Sequence, residues 1–75
     1  MVKVMRYKLS YASKESVSLY DAEPGVYFNR DRSVDCFNMM CDELGRVTDK
    51  YFEVKLEEVD EWGYPVKLLR SYSCD

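Results

Sequence analysis

Histidine is absent from the 75 residues. That absence excludes Ser-His-Asp and Cys-His nucleophilic catalysis and every imidazole-based metal site. Cysteine is sparse and odd in number, at positions 36, 41 and 74, with no Cys-x-x-Cys spacing. Cys36 and Cys41 are five apart, about 140° around a helix, so they do not share a metal ion. Free thiols in a reducing cytoplasm are the expected state. Glycine occurs three times and proline twice, and no stretch reads as a domain boundary; Arg46 to Lys50 reads as a short polar linker into the last hairpin. There is no apolar run of membrane-spanning length and no signal-peptide pattern. The sequence shows no internal repeat and no low-complexity tract. Neither a metal nor a cofactor is implied by any spacing.

What is present is globular in character, 47% apolar and 33% charged, and 75 residues is the length of one small domain (1–75) with a marginal core. Net charge is −3, which argues against nucleic acid as the default partner. Residues 1–32 hold six basic and four acidic groups, whereas residues 33–75 hold five and ten. The negative excess therefore sits in the second half. Seven tyrosines suit both a sheet and a protein interface.

Val2 to Ala12 alternates, with Met5, Tyr7, Leu9 and Tyr11 on one face and Arg6, Lys8 and Ser10 on the other, the pattern of a half-buried strand. Ser13-Lys14-Glu15 reads as a hairpin loop. Ser16 to Asp21 reads as a second strand with Val17 and Leu19 inward. Glu23-Pro24-Gly25-Val26 carries a type II turn signal, and Val26-Tyr27-Phe28 is a short third strand or an extended lead-in. Asn29 to Leu44 is the one helix. Asn29, Asp31 and Ser33 all qualify as its N-cap, and Gly45 as its C-cap residue. Val34, Phe37, Met40, Cys41 and Leu44 form its apolar arc, and Asp35, Asn38 and Asp42, with Met39, lie opposite. Arg30 and Arg32 sit where the helix dipole disfavours cations.

The last stretch, Tyr51 to Cys74, predicts a hairpin. Asp60 and Gly63 suit a three-residue loop closing on Asp60 and Tyr64. That loop sets Val54 against Arg70, Leu56 against Leu68, Glu58 against Val66 and Phe52 against Tyr72. Phe52, Val54, Leu56, Val66, Leu68 and Tyr72 then share the core face, and Glu57 opposes Lys67 on the other. The expected architecture is α+β: a single antiparallel sheet of four or five strands, in the order β-β-(β)-α-β-β, with one helix packed on one face. The other face should be wet and carry charge and spare tyrosines.

Two functional readings follow. The first is a non-enzymatic protein-binding module whose contact is the acidic hairpin tip: Glu57, Glu58, Asp60, Glu61, Trp62 and Tyr64. Alternate acids on an exposed strand recur every ~6.6 Å, near the spacing of phosphates on one DNA strand, so such a strand could occupy a basic nucleic-acid groove of another protein. Trp62 either folds back onto its own sheet or protrudes as a contact residue. The second reading is nucleic-acid binding by Arg6, Lys8, Tyr27, Arg30 and Arg32. An open sheet edge would also permit a homodimer.

The segment Val26 to Leu44, VYFNRDRSVDCFNMMCDEL, resembles the strand-to-helix junction of small sheet-plus-helix domains, among them the arm-site DNA-binding domain of tyrosine integrases. Those domains are basic on the sheet, whereas this chain is net acidic. In general character (short, histidine-free, acidic) the chain resembles accessory and inhibitor proteins of bacteriophages and mobile elements, including anti-CRISPR and other counter-defence proteins. That resemblance implies occlusion of a host nucleic-acid or defence enzyme, and a location in the host cytoplasm.

Overall fold

A computed structural model describes residues Met5 to Cys74. The strands are β1 (Arg6–Ser13), β2 (Gly25–Tyr27), β3 (Phe52–Val59) and β4 (Pro65–Cys74), and the helix α1 (Arg30–Val47) falls between β2 and β3. The strands form one antiparallel sheet in the order β2-β1-β3-β4. The expected α+β arrangement is therefore present, with four strands. Val2, Lys3 and Val4 of the expected first strand lie outside the described residues.

The alternation of β1 places Leu9 in the core, with Tyr7 and Tyr11 packed against it. Leu9 pairs with Leu56 and Tyr11 with Val54, so apolar residues of two central strands share one face. Phe37, Met40 and Leu44 of α1 cover that face, and Phe52, Val54 and Leu56 complete the core. Val34 and Cys41 flank it, as their place in the helical arc implies. Asn29 is the N-cap: its Oδ1 accepts from the Arg32 N–H at 3.0 Å. Ser33, another candidate cap, is instead buried within the first turn, its hydroxyl donating to the Arg30 carbonyl at 2.6 Å.

Four expectations need correction. Ser16 to Asp21 is not a strand. Val17 and Leu19 do pack inward, but the backbone finds side-chain partners in place of a ladder. The Tyr20 N–H donates to Glu43 Oε1, the Asp21 N–H donates to Glu43 Oε2 at 3.0 Å, and the Tyr11 hydroxyl donates to the Val17 carbonyl at 3.4 Å. The strand that pairs with β1 at this edge is β2, with Gly25 opposite Leu9. Gly25 has φ 157°, close to extended and far from the roughly +80° of a type II turn. The helix also does not stop at Leu44. It runs through Gly45 to Val47, and the C-cap is Thr48, whose N–H reaches the Leu44 carbonyl at 3.1 Å.

The fourth correction concerns the hairpin. The loop closes on Asp60 and Tyr64 as its residues imply, but two register shifts follow, each adding one residue to β4. Val66 and Leu69 are the unpaired residues. Glu58 therefore meets Lys67, Leu56 meets Arg70, Val54 meets Tyr72 and Phe52 meets Cys74. The expected Glu57–Lys67 pair does not form, and Glu57 stands opposite Leu68. Val66, Leu68 and Tyr72 are 54%, 53% and 48% exposed, so they are not core residues. Leu69 and Cys74 take that place at its margin. The physical cause is twofold: bulges re-aim side chains, and α1 packs on β1, β2 and β3 while β4 lies beyond it.

The uncovered face is charged, as expected. Lys8 and Glu57 pair on it, and Lys55 bridges Glu53 at 3.1 Å. One tyrosine is there, Tyr51, whose hydroxyl donates to Glu53 at 2.7 Å; Tyr7, Tyr11 and Tyr27 register on the helix side instead.

Candidate protein-binding site

The loop from Asp60 to Tyr64 is built by one carboxylate. Asp60 Oδ1 accepts from the backbone N–H of Trp62 at 3.0 Å and of Tyr64 at 2.9 Å. The Asp60 N–H donates to the Tyr64 carbonyl and the Gly63 N–H to the Asp60 carbonyl, both at 3.0 Å. Gly63 has φ 87°, a left-handed conformation that side chains with a Cβ resist. Asp and Gly are thus the residue types this turn requires, which is why the sequence marks it.

The turn is also tethered from outside. Arg6 of β1 donates from its guanidinium to the Glu61 carbonyl at 3.1 Å. The same guanidinium lies 5.5 Å from the Phe28 ring centre, a cation–π distance. Arg6 pairs with Val59, which is buried. Arg6 therefore links β1, the β2–α1 junction and the hairpin tip.

On this frame Trp62 is 75% exposed and Tyr64 69% exposed. Of the two courses open to Trp62, protrusion is the one observed. The six expected contact residues are not equivalent. Asp60 is committed to the turn. Glu61 is exposed and offers its carboxylate, while its carbonyl holds Arg6. Glu57 and Glu58 are half-buried neighbours whose strand positions point to opposite faces of the sheet. Glu57, on the uncovered face, stands between Lys8 and Leu68, and Glu58, on the helix side, between Tyr7 and Lys67. The acids form no single row: the tip presents Glu61, Trp62 and Tyr64 together, and Glu57 and Glu58 flank it on separate faces.

The alternative set is dispersed. Arg6 and Lys8 lie on the uncovered face, and Arg6 is engaged as described. Tyr27 registers with Tyr7 on the helix side. Its hydroxyl donates to the Glu23 carbonyl at 2.6 Å, and burial, together with a hydrogen bond to Cys36, raises its pKa. Arg30 and Arg32 are exposed at the helix start.

Arg6 as a tether and Glu43 as a backbone acceptor are the two side chains whose roles the residue pattern did not announce. Both act on backbone groups distant in sequence, and no local spacing encodes that. Among the described residues no group of three Cys, Asp or Glu is placed to hold a metal ion, and no helix is long and apolar enough to cross a membrane. Comparisons with protein families, with curated proteins and with solved structures each gave no match.

Proposed function

We propose that this chain is a non-enzymatic protein-binding module that acts by occlusion, with the β3–β4 hairpin tip as its contact. The observation that carries the reading is the exposure of Trp62 beside Tyr64 on a turn fixed by Asp60, Gly63 and Arg6. An exposed tryptophan on a mobile loop would lose much of its binding energy to ordering. On a pre-set turn that cost falls, and tryptophan and tyrosine are the residue types that dominate binding hot spots. Glu61 adds a carboxylate at the tip, so the complementary surface is apolar with a basic rim. A nucleic-acid-processing or defence enzyme of a host cell has such a basic groove, and the reading extends to a phage-type inhibitor acting in that cytoplasm.

The test is paired affinity capture from the native host with the wild-type chain and with Trp62→Ala, followed by activity assay of any enzyme retained. The expected result is an enzyme held and inhibited by the wild type, with affinity lowered about 30-fold or more by Trp62→Ala, a hot-spot loss of about 2 kcal/mol. Charge reversal at Glu61, exposed at the tip, should weaken binding further at low salt while the melting temperature holds; reversal at Glu58 should weaken it too but lower the melting temperature, because it sets a cation opposite Lys67. Equal retention by wild type and Trp62→Ala would end the proposal.

A further inference from the structure

The two edges of the sheet are unlike. β2 is three residues long and follows Pro24, a blunted edge. β4 is ten residues long, and eight of them are exposed. Its backbone orientation follows from two contacts. The Lys14 N–H donates to the Tyr51 carbonyl and the Asp60 N–H to the Tyr64 carbonyl. Antiparallel ladders alternate, so odd-numbered residues of β3 bond towards β1 and even-numbered ones towards β4. Arg70 and Tyr72, opposite Leu56 and Val54, therefore bond inward. Ser71 and Ser73 direct their N–H and C=O groups at the open edge.

The side chains of that edge carry a second signal. Lys67 and Arg70 are the only charged residues in β4. Three residues apart, they would fall on opposite faces of a regular strand. The bulge at Leu69 removes that offset: Lys67 pairs with Glu58 and Arg70 with Leu56, two positions apart on β3. Both cations thus stand on the helix side, about 6.6–7 Å apart along the strand, beyond the reach of α1. The ion pairs among the described residues are Arg46 with Asp21 and Lys55 with Glu53, so neither β4 cation closes one: Arg70 faces Leu56, and Glu58 stands opposite Lys67 without reaching ion-pair distance.

From this geometry we infer that the β4 edge is a docking site for an extended peptide strand of a partner protein, one that carries carboxylates at alternate positions facing Lys67 and Arg70. The peptide adds a fifth strand by main-chain hydrogen bonds to Ser71 and Ser73. Its acids pair with the two cations, and the exposed Val66 and Leu68 offer apolar contact. A second copy of this chain fits less well, because β4 against β4 sets two cationic strands side by side with no acid between Pro65 and Cys74. This site is separate from the Trp62 tip and takes a ligand of the opposite charge.

The experiment uses the full chain and four fluorescent probes, read by anisotropy at low salt. They are a ten-residue Val/Thr peptide with Glu at positions i and i+2, its isomer with Glu at i and i+1, the i, i+2 peptide with Lys for Glu, and an oligothymidylate. The i, i+2 Glu peptide should bind at least about fivefold more tightly than its isomer, and the Lys peptide should not bind. Lys67→Gln/Arg70→Gln should erase the difference between isomers while the far-UV spectrum and melting temperature hold. Trp62→Ala should leave peptide binding unchanged, which separates this site from the tip. Equal binding of the two isomers, no binding of either, or preferred binding of the oligothymidylate through Lys67 and Arg70 would overturn the inference. So would sedimentation showing a dimer that Ser73→Pro dissociates.

Discussion

Glu43 is the residue whose role departs most from its type. It is 3% exposed on α1, and its two oxygens accept the N–H groups of Tyr20 and Asp21. Those donors, Tyr20 foremost, lower its pKa below the ordinary carboxylate range, against the opposing effect of burial. Glu53 is lowered in the same direction, chiefly by the Tyr51 hydroxyl and then by Lys55. A carboxylate whose folded pKa is depressed contributes stability above its unfolded pKa and loses it as pH falls through the folded value. The melting temperature should therefore be level from pH 7 to about 5 and drop below the usual carboxylate pKa of roughly 4. Glu43→Gln presents an amide N–H₂ to one backbone N–H and leaves that donor unpaired. The expected loss at pH 7 is on the order of 5 °C or more in melting temperature, with a shallower acid limb. Thermal scans of both proteins between pH 3 and 8 check this. A Glu43→Gln protein that melts with the wild type at every pH would contradict the assigned role.

At the scale of elements, the helix and the turn obey different residues from those first suggested by glycine. Gly63 does what glycine is needed for, but Gly45 does not. It lies inside α1, two residues before the helix ends at Val47, and a Cβ built on it meets nothing within 4 Å. Gly45→Ala should stabilise the protein by about 0.8–1 kcal/mol, the difference between these residues in a helix interior, with no loss of packing. Chemical denaturation should show a higher midpoint and an unchanged m-value; a lower midpoint would contradict the placement. The same contrast explains what the sequence made legible. Strand alternation in β1, the helical arc and the Asp60–Gly63 turn are local patterns, and each element formed where its pattern lay. The apparent strand at Ser16 to Asp21 has the right period, because Val17 and Leu19 do pack inward, but its hydrogen-bond partners come from Glu43 more than twenty residues away. The β4 bulges are equally hidden. Leu68 and Leu69 are adjacent and both apolar, so the sequence alone does not say which one faces the core. The tip residues were legible because a turn needs particular residue types; the pairing of Lys67 with Arg70 on one face was not, because it depends on the bulge.

Over the described residues the molecule is a sheet covered on one face by a single helix. Residues 52 to 62 rise about 36 Å at 3.3 Å each, most of the 46 Å long axis, so the hairpin runs nearly the length of the protein. With one shared core from Leu9, Phe37, Met40, Leu44, Phe52, Val54 and Leu56, sheet and helix should unfold together. Cys36 reports on this. It is buried within the core cluster, whereas Cys74 is part-exposed at the end of edge strand β4. Cys41 is less suited as a probe, because burial and the neighbouring Asp42 raise its thiol pKa and slow it chemically even where reagent can reach. In a protein carrying Cys41→Ser and Cys74→Ser, disulfide exchange at Cys36 should proceed through opening of the core, at a rate set by global stability. Adding Gly45→Ala should then slow that reaction about four- to fivefold, the factor that corresponds to about 0.8–1 kcal/mol. The converse protein, with only Cys74 retained, should react orders of magnitude faster and ignore Gly45→Ala, because the end of β4 opens by local fraying. Equal rates for the two thiols would mean that α1 separates from the sheet without global unfolding. A Cys36 rate that falls with Gly45→Ala, beside a Cys74 rate that does not, shows instead that Cys36 reacts only when α1 itself unfolds.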